Sequence, residues 1–169
     1  KFSLNVHDII IKSQLEHGLK QNDYQSYRLY CVRRLARLRK AAKAKLATKN
    51  GKYVGLKIES EIVSNENHLL IALMLTERAW SYGMQLKDDI QEARDDGNDE
   101  KPIDRWTLHM KSRLRKAVSY ANQFLNLIKN HGTEQTLVEA EAYVAFINGS
   151  LNIATNDWKN ALKNYSKTS

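Results

Sequence analysis

Basic side chains are concentrated in one part of the 169-residue sequence. Between residues 20 and 60, twelve Lys and Arg accompany two acidic residues, so this segment carries a net +10 while the other 128 residues carry −2. Guanidinium groups donate paired hydrogen bonds to phosphate and stack on nucleobases. The localised charge therefore indicates a polyanionic partner. The basic residues of the segment are Lys20, Arg28, Arg33, Arg34, Arg37, Arg39, Lys40, Lys43, Lys45, Lys49, Lys52 and Lys57.

Most of this charge is predicted to lie on one helix. The helix should begin after Asp23, whose carboxylate can accept from the free amides of the first turn, and continue to about Thr48. At about 100° per residue, its apolar side chains form one narrow stripe, and Arg33, Arg37 and Lys40 point away from it. Opposite charges at helical spacing are nearly absent, whereas a solvated helix face usually mixes both signs. The stripe consists of Tyr24, Tyr27, Cys31, Leu35, Leu38 and Ala42.

Groove geometry favours RNA over DNA as the polyanion. The major groove of A-form RNA admits an arginine-rich helix only where a loop, bulge or junction widens it. The sequence also has no zinc-finger spacing and no dimeric half-site arrangement. On the predicted helix, further basic residues flank the stripe: Arg28, Arg39 and Lys43 on one side, and Arg34 on the other.

A second basic cluster follows later in the chain, where no acidic residue lies between Arg105 and Lys129. It comprises Lys111, Arg113, Arg115 and Lys116, and either extends the binding surface or forms a solvated face. The predicted RNA-binding residues are Arg28, Arg33, Arg34, Arg37, Arg39, Lys40, Lys43, Lys45, Lys49, Lys52, Lys111, Arg115 and Lys116.

No catalytic or metal site is predicted. The five histidines are scattered without metal-ligand spacing, and there is no glycine-rich phosphate loop. Cys31 lies on the apolar stripe, where a thiol acts as a small hydrophobe. Trp80, Tyr82 and Met84 are predicted to fill the core, and Trp158 is predicted to wedge between the last two helices. The aromatic residues other than Tyr30 are predicted not to alternate with the arginines as in a stacking platform for single strands. We therefore expect a non-enzymatic chain without a cofactor.

The length of the chain and its few Gly and Pro residues predict one all-helical domain. A chain of 169 residues can bury roughly 70% of its unfolded surface. One proline and seven glycines interrupt little of the helical periodicity. The single cysteine favours a reducing compartment, and no apolar run is long enough to span a membrane. Residues 1–7 lack the apolar stretch of a secretion signal. Because the sequence also lacks an initiator Met, we expect residues 1–169 to be a fragment of a longer chain.

Six helices are predicted. The first spans residues 4–16 and ends at Gly18, and the second spans residues 23–48. An exposed loop at residues 49–57 follows. The third helix extends from about residue 64 past residue 87, and residues 88–104, with eight acidic side chains, are predicted to fray into a solvated loop. Asp104 then caps the fourth helix, whose stripe is Met110, Leu114, Ala117, Ala121, Phe124 and Ile128. The fifth, at residues 134–154, is the expected central helix.

A short motif that occurs twice in the sequence indicates the architecture. Asn22-Asp23-Tyr24 recurs as Asn156-Asp157-Trp158, each time between two helical segments, and the second copy starts the sixth helix. Ala161 and Tyr165 follow at the spacing of the second helix of a tetratricopeptide repeat. Because no clean 34-residue period is present, we expect a tetratricopeptide-like stack of antiparallel helix pairs and no regular repeat array.

The sequence resembles the RNA-binding domain of the 68-kilodalton subunit of the eukaryotic signal recognition particle. The similar runs are HGLK at residues 17–20, DYQSYRLYC at 23–31, RR at 33–34, RLRK at 37–40, ERAWSYGMQLK at 77–87 and SRLRKA at 112–117. Residues 139–143 and Trp158 also fit. The similarity covers nearly the whole chain.

The resemblance implies a module that docks near a junction in the particle's RNA and inserts the arginine-rich helix into a widened major groove, bending or remodelling the RNA. Arg33, Arg34, Arg37, Arg39 and Lys40 would be the inserted residues. It implies a scaffold for co-translational targeting to the endoplasmic reticulum, and a cytoplasmic protein with nuclear or nucleolar assembly. The 72-kilodalton subunit of the particle would be bound mainly by a later region that is absent from this sequence. Contacts with the other subunits and with the ribosome would be indirect. The domain itself would be monomeric.

Two other functions agree with the composition. The first is a tetratricopeptide-like module for protein interaction. It would bind a peptide in its helical groove, and the basic helix would recognise an acidic tail of that peptide. Binding to anionic lipids fits less well, because no helix combines its charges with large exposed hydrophobic residues on the opposite face.

Overall fold

The computed structural model describes residues 1–44, 47–54 and 58–168. Within these residues there are six α-helices, and the chain is all-helical apart from short turns and one small hairpin, as predicted. The helices are α1 (Val6–Glu16), α2 (Tyr24–Ala41), α3 (Glu66–Asp95), α4 (Glu100–His131), α5 (Glu134–Ala154) and α6 (Trp158–Ser166). Two 3-10 turns, Leu19–Gln21 and Ser60–Ile62, lie in the connections.

The helices pack mainly in the order of the sequence. α2 lies against α3, α3 against α4, α4 against α5, and α5 against both α6 and α1. The connections from α3 to α4 and from α4 to α5 span only residues 96–99 and 132–133, so these helices run antiparallel. The predicted all-helical stack is confirmed. None of the helices in the described ranges is both long and apolar enough to cross a bilayer.

The basic helix α2 begins as predicted but ends seven residues earlier, at Ala41 rather than Thr48. Asp23 caps it by accepting a hydrogen bond from the Ser26 amide at 3.0 Å. At the other end, Lys43 has a positive φ of 56°, and the Ala44 amide donates to the Arg39 carbonyl at 2.8 Å. This is the hydrogen-bond pattern of a Schellman turn, which stops a helix. Ala44 is buried, so tertiary packing overrides the high helix propensity of the Ala and Lys run.

Residues 49–57 do not form the predicted irregular loop where they are described. The strands β1 (Ala47–Lys49) and β2 (Lys52–Val54) form an antiparallel hairpin. Asn50 and Gly51 connect the strands with φ values of 51° and 71°. An Asn-Gly pair with two positive φ angles is the preferred two-residue hairpin turn, and this dipeptide was the missed signal. Residues 49–52 are exposed, as predicted.

The acidic stretch at residues 88–104 is mostly helical, contrary to the prediction of a fraying end. α3 continues to Asp95, and Gly97, with φ 74°, allows the turn that ends it. α4 begins at Glu100, so Asp99 and not Asp104 is its N-cap. Pro102 is tolerated because it lies in the first turn, where its missing N–H would have no helical partner. The acidic residues therefore lie on the two helix ends and the turn that joins α3 to α4.

The core forms around α3, which has more buried residues than any other described helix and takes the central position predicted for α5. All six residues of the predicted α4 stripe are buried. Trp80 is buried, and its indole N–H donates to the Ser150 hydroxyl at 3.2 Å. Trp158 is 63% exposed, so the prediction that it wedges between the last two helices is wrong. Ala161 and Tyr165 occupy the α5–α6 interface instead.

A single carboxyl group joins four helices at the centre of the molecule. Glu77 on α3 is fully buried and accepts hydrogen bonds from the Tyr27 hydroxyl at 2.5 Å, the Tyr143 hydroxyl at 2.5 Å and the Gln14 side-chain amide at 3.0 Å. These donors lie on α2, α5 and α1. Burial raises the pKa of the Glu77 carboxyl, and the three hydrogen bonds oppose that rise. The cluster holds α2 at a defined position on the stack.

The N-terminal segment is tied to the α4–α5 turn. The Phe2 amide donates to the His131 carbonyl at 2.6 Å, and the Thr133 amide donates to the Phe2 carbonyl at 3.0 Å. The Thr136 hydroxyl accepts from the Leu4 amide at 2.9 Å. This strap joins residues 132 positions apart in the sequence.

The two copies of the motif, at Asn22-Asp23 and Asn156-Asp157, have the same backbone geometry. Asn22 and Asn156 both have positive φ, 56° and 58°, and the following aspartates cap α2 and α6. An Asn in the left-handed region followed by a capping Asp thus reverses the chain between two helices at both places.

Candidate nucleic-acid interface

The outer face of α2 is a row of exposed cations. The predicted apolar stripe packs on the stack, with Tyr27, Cys31 and Leu35 fully buried. Arg33, Arg37 and Lys40 are exposed on the opposite side, as the helical wheel predicted. The ion pairs seen between described residues are two contacts of a His with its neighbouring carboxylate, and neither involves an arginine of α2. This face therefore carries concentrated positive charge, and none of the ion pairs seen in the described part of the chain neutralises it.

One flank of α2 faces α1 and carries Arg34. Its guanidinium donates to the Ser13 hydroxyl at 2.8 Å and to the Tyr30 hydroxyl at 3.1 Å. The ring of Tyr30 is in turn stacked on His17, with ring centroids 3.6 Å apart. Arg34 therefore helps to attach α2 to α1. Tyr30, the residue predicted to be placed for stacking, already has one face covered by His17.

The other flank of α2 faces α3 and α4 and carries Arg28. The Arg28 guanidinium lies 4.2 Å from the ring centroid of Tyr82, and the Arg113 guanidinium lies 5.2 Å from the same ring. The Lys116 ammonium lies 5.2 Å from the ring of Tyr120. Cation–π attraction orients such charges on an aromatic surface. Aromatic residues thus do alternate with the cations here, because the rings come from neighbouring helices, and the prediction that they do not is wrong.

These side chains surround a cavity of about 350 Å³, which we call the arginine–tyrosine pocket. Its polar lining is Arg28, Arg78, Tyr82, Arg113, Lys116 and Tyr120. Tyr82 is half-buried and forms part of this lining, so the prediction that it fills the core is wrong. Arg78, Tyr82 and Tyr120 were not among the predicted site residues. The sequence does show arginines and tyrosines on α3 and α4. It does not show that they lie next to α2, because that depends on how the three helices pack.

Charge accumulation near the pocket perturbs one more arginine. Arg39 is half-buried, and burial together with the positive charge of Arg78 lowers the pKa of its guanidinium. Both effects disfavour the charged form in the absence of an anion. Arg39 and Arg78 therefore place two positive charges close together on the flank of α2 that faces the pocket.

The predicted basic residues beyond α2 are dispersed. Lys43 lies in the turn after α2 and not on its helical flank, while Lys49 and Lys52 lie beside the hairpin turn; all three are exposed. Lys45, which was also predicted, lies outside the described residues. The hairpin follows α2 directly, so its lysines extend the basic segment past the end of the helix.

The second basic cluster is divided between two sides of α4. Arg113 and Lys116 line the arginine–tyrosine pocket. At about 100° per residue, Lys111 and Arg115 lie roughly 160° around the helix from Arg113. The basic surface therefore does extend from α2 onto α4, through Lys116 and Arg113. Lys116 was among the predicted RNA-binding residues, and Arg113 was not. Lys111 and Arg115 belong to a different face.

Other groups that could perform chemistry are enclosed or isolated. Burial and the nearby Glu77 carboxyl raise the pKa of the Cys31 thiol to about 12, so the thiol is not a ready nucleophile at neutral pH. Across the described ranges, His, Cys, Asp and Glu side chains form no group of three that could hold a metal ion.

A larger cavity, of about 680 Å³, lies between α1 and α5. Its walls are mainly apolar, with Ile10, Ile11 and Val138, and its charged lining includes Asp8 and Glu139. The lining of this groove includes His7 but no Lys or Arg, so it does not offer an acidic peptide the cationic surface found on α2. The cationic surface and the helical groove are therefore separate features.

The sequence is similar to a known family across most of its length. The family model described as SRP68, RNA-binding signal recognition particle 68, matches residues 19–169. The chain is 36% identical to signal recognition particle subunit SRP68 of Dictyostelium discoideum and 34% identical to subunit SRP68 of Drosophila melanogaster. These alignments cover 99% and 95% of the chain but 27% and 26% of the relatives. The chain thus spans about a quarter of their length.

The fold also matches a solved structure. The SRP68-RBD from Chaetomium thermophilum superposes with a TM-score of 0.73 at 22% sequence identity. The match covers 97% of this chain and 75% of that one. The similarity therefore supports the same helical architecture.

Proposed function

Because this chain belongs to the SRP68 family, RNA-binding signal recognition particle 68, we propose that it binds the RNA of the signal recognition particle through α2. The observation that carries the proposal is the row of exposed cations on the outer face of α2, which form no ion pair with a carboxylate in the described ranges. Phosphate groups of RNA would supply the missing counter-ions, and binding would release the condensed ions of the RNA. The RNA-binding side chains are proposed to be those predicted from the sequence, with Arg113 in place of Lys111 and Arg115, which lie on the other face of α4.

The shape of α2 supports insertion into a groove. The helix joins the stack along one narrow stripe, and its outer half projects Arg33, Arg37 and Lys40 over about two turns. A regular A-form major groove is too narrow to admit these side chains, so α2 would enter at a junction or bulge and hold the groove open. Bending or remodelling of the RNA at that point follows from this mode of docking.

In the whole particle, the chain would act as a non-catalytic scaffold for protein targeting to the endoplasmic reticulum. The relatives are about four times as long, so contacts with the 72-kilodalton subunit are assigned to a region outside this chain. Contacts with the other subunits and the ribosome would be indirect. The expected location is the cytoplasm, with assembly in the nucleus or nucleolus and association with the endoplasmic reticulum.

A binding titration with particle RNA tests the proposal. Arg33→Glu together with Arg37→Glu should weaken binding by about 100-fold, because two phosphate contacts become repulsive. With about six to eight phosphates neutralised, the affinity of the unaltered chain should fall by roughly several hundredfold between low and physiological salt. Unchanged affinity in the double variant would exclude binding through α2.

A matched control separates this contact from net charge. Lys159→Glu with Lys163→Glu changes the charge by the same amount on exposed positions of α6, a helix that packs on α5 and away from α2. The control should keep most of the affinity. An equal loss in both double variants would mean that only the total charge of the chain attracts the RNA.

A further inference from the structure

The arginine–tyrosine pocket concentrates cations from three helices. Arg28 comes from α2, Arg78 from α3, and Arg113 and Lys116 from α4, and the lining includes no acidic side chain. Four like charges around a cavity of about 350 Å³ repel one another unless an anion lies between them. Electrostatics alone therefore indicate that this cavity is completed by an anionic group.

The guanidinium groups are held in place by neighbouring side chains. The ring of Tyr82 attracts both Arg28 and Arg113, and Arg113 also donates from Nε to the ring nitrogen Nε2 of His109 at 3.2 Å. His109 packs edge-on against Tyr82, with centroids 5.3 Å apart. Orienting two arginines in advance reduces the entropy that ligand binding would otherwise cost.

One buried donor in the pocket has no partner. The Nε atom of Arg28 is buried without a hydrogen-bond acceptor among the described residues. A buried donor left without an acceptor destabilises the structure that contains it. A phosphate oxygen entering the pocket would supply this acceptor and also neutralise part of the surrounding charge.

The rim of the same pocket is apolar. Leu29 and Val32 are each 44% exposed beside Arg28, and Ala79 contributes to the floor. Large hydrophobic side chains exposed next to guanidinium planes form a surface suited to a nucleobase, which stacks on arginine and packs on apolar groups. The cavity volume lies at the lower end of the range for small-ligand sites, so it suits one nucleotide and not a duplex.

We propose that the arginine–tyrosine pocket binds one unpaired nucleotide of the RNA held by α2, with its phosphate between Arg28 and Arg113 and its base against Val32. This inference rests on the proposed function. Val32 and Arg33 are adjacent on α2, so an RNA strand that follows the outer arginines passes the mouth of the pocket. The pocket would thus recognise a bulged or flipped-out nucleotide, while the outer face of α2 recognises the backbone.

The test uses two RNA hairpins that share one internal loop, which opens the major groove for α2. The bulged hairpin has one further unpaired nucleotide in its stem, and the paired hairpin has none there. The unaltered chain should bind the bulged hairpin more tightly. Arg113→Gln removes the phosphate contact, and Tyr82→Leu removes the ring that orients Arg28 and Arg113, so each should weaken binding of the bulged hairpin by about 10- to 150-fold, the range for loss of a hydrogen bond to a charged group. Neither variant should change binding of the paired hairpin by a comparable factor.

Two controls match these variants. Tyr82→Phe keeps the aromatic ring that orients the arginines, so it should preserve the preference for the bulged hairpin. Arg105→Gln removes one arginine from an exposed position of the same helix, α4, outside the pocket, and should also preserve it. Circular dichroism of each variant establishes that α3 and α4 remain folded; Arg113 itself is exposed, so its replacement does not disturb the core.

The outcomes separate this inference from the proposed function. If Arg113→Gln and Tyr82→Leu weaken both hairpins equally, or neither, the pocket does not recognise an unpaired nucleotide. If the Arg33→Glu and Arg37→Glu double variant binds both hairpins normally while the pocket variants lose the preference, the pocket assignment stands and binding through the outer face of α2 fails.

Discussion

The centre of the molecule and the outer face of α2 have opposite balances of hydrogen-bond donors and acceptors. At the centre, the Glu77 carboxyl receives three donors, from Gln14, Tyr27 and Tyr143. On the outer face, Arg33, Arg37 and Lys40 present many donors, and no described carboxylate is paired with them. The first arrangement is complete within the chain, whereas the second requires a ligand. Substitutions at the centre should therefore change stability, and those on the face should change binding.

The largest effect on stability is expected for Glu77→Ala. Removal of the carboxyl leaves two tyrosine hydroxyls and one amide without their acceptor and creates a cavity between four helices. The free energy of unfolding should fall by about 3 kcal/mol. Urea denaturation followed by circular dichroism measures this change. A loss below about 1 kcal/mol would mean that Glu77 does not hold the helices together.

Glu77→Gln should remove a pH dependence. The pKa of Glu77 is raised in the folded state, so the folded chain retains the proton over a range where the unfolded chain, with a pKa near 4.5, releases it. Stability from this group is therefore present below the unfolded pKa and is lost as the pH rises towards the folded value, at up to about 1.4 kcal/mol per pH unit. Urea denaturation at several pH values across this range measures the free energy of unfolding of both chains. The value for the unaltered chain should fall with rising pH relative to the value for Glu77→Gln. A difference between the two chains that does not change with pH would contradict the raised pKa.

Tyr27→Phe and Tyr143→Phe test the donors of the same cluster one at a time. Each removes one hydrogen bond to a buried carboxyl while keeping the aromatic ring, so each should reduce the free energy of unfolding by about 1 to 2 kcal/mol. The effects should not be additive, since both hydroxyls share one acceptor group. Thermal unfolding of both single variants and the double variant measures the coupling. Strict additivity would show two independent contacts.

Arg37→Gln should have the smallest effect on stability, with the opposite sign. Arg37 is exposed, lies one helical turn from Arg33, Arg34 and Lys40, and has no carboxylate partner in the described chain. Since Gln and Arg have similar helix propensities, loss of repulsion should stabilise the fold by a few tenths of a kcal/mol at low salt. High salt should abolish the gain, because it screens exposed charges. A salt-independent loss would reveal a structural role for Arg37.

The features that follow from local periodicity were predictable from the sequence. The stripe of α2 and the stripe of α4 were correct because each depends only on the spacing of apolar residues along one helix. Asp23 was correctly placed as the cap of α2. The end of α2 was not predictable in the same way, since burial of Ala44 stops a run whose composition favours a longer helix.

The candidate site was predictable only in part, for a related reason. The outward direction of Arg33 and Arg37 depends on one helix and was predicted correctly. The contacts of Arg28 with Tyr82 and Arg113 depend on how three helices pack, and no spacing within one helix contains that information. Membership of the family rested on longer runs of residues and was predicted correctly.

The strap between the N-terminal segment and the α4–α5 turn has a consequence for synthesis on the ribosome. The Leu4 amide and its partner Thr136 are separated by 132 residues. At about 5 to 20 residues per second, the acceptor is translated roughly 7 to 26 seconds after the donor. During this interval the apolar side of α1 lacks the α5 surface on which it packs. The segment with Leu4 is therefore made before most of this domain but is attached among the last, and its apolar side chains are exposed to aggregation or chaperone binding until α5 emerges.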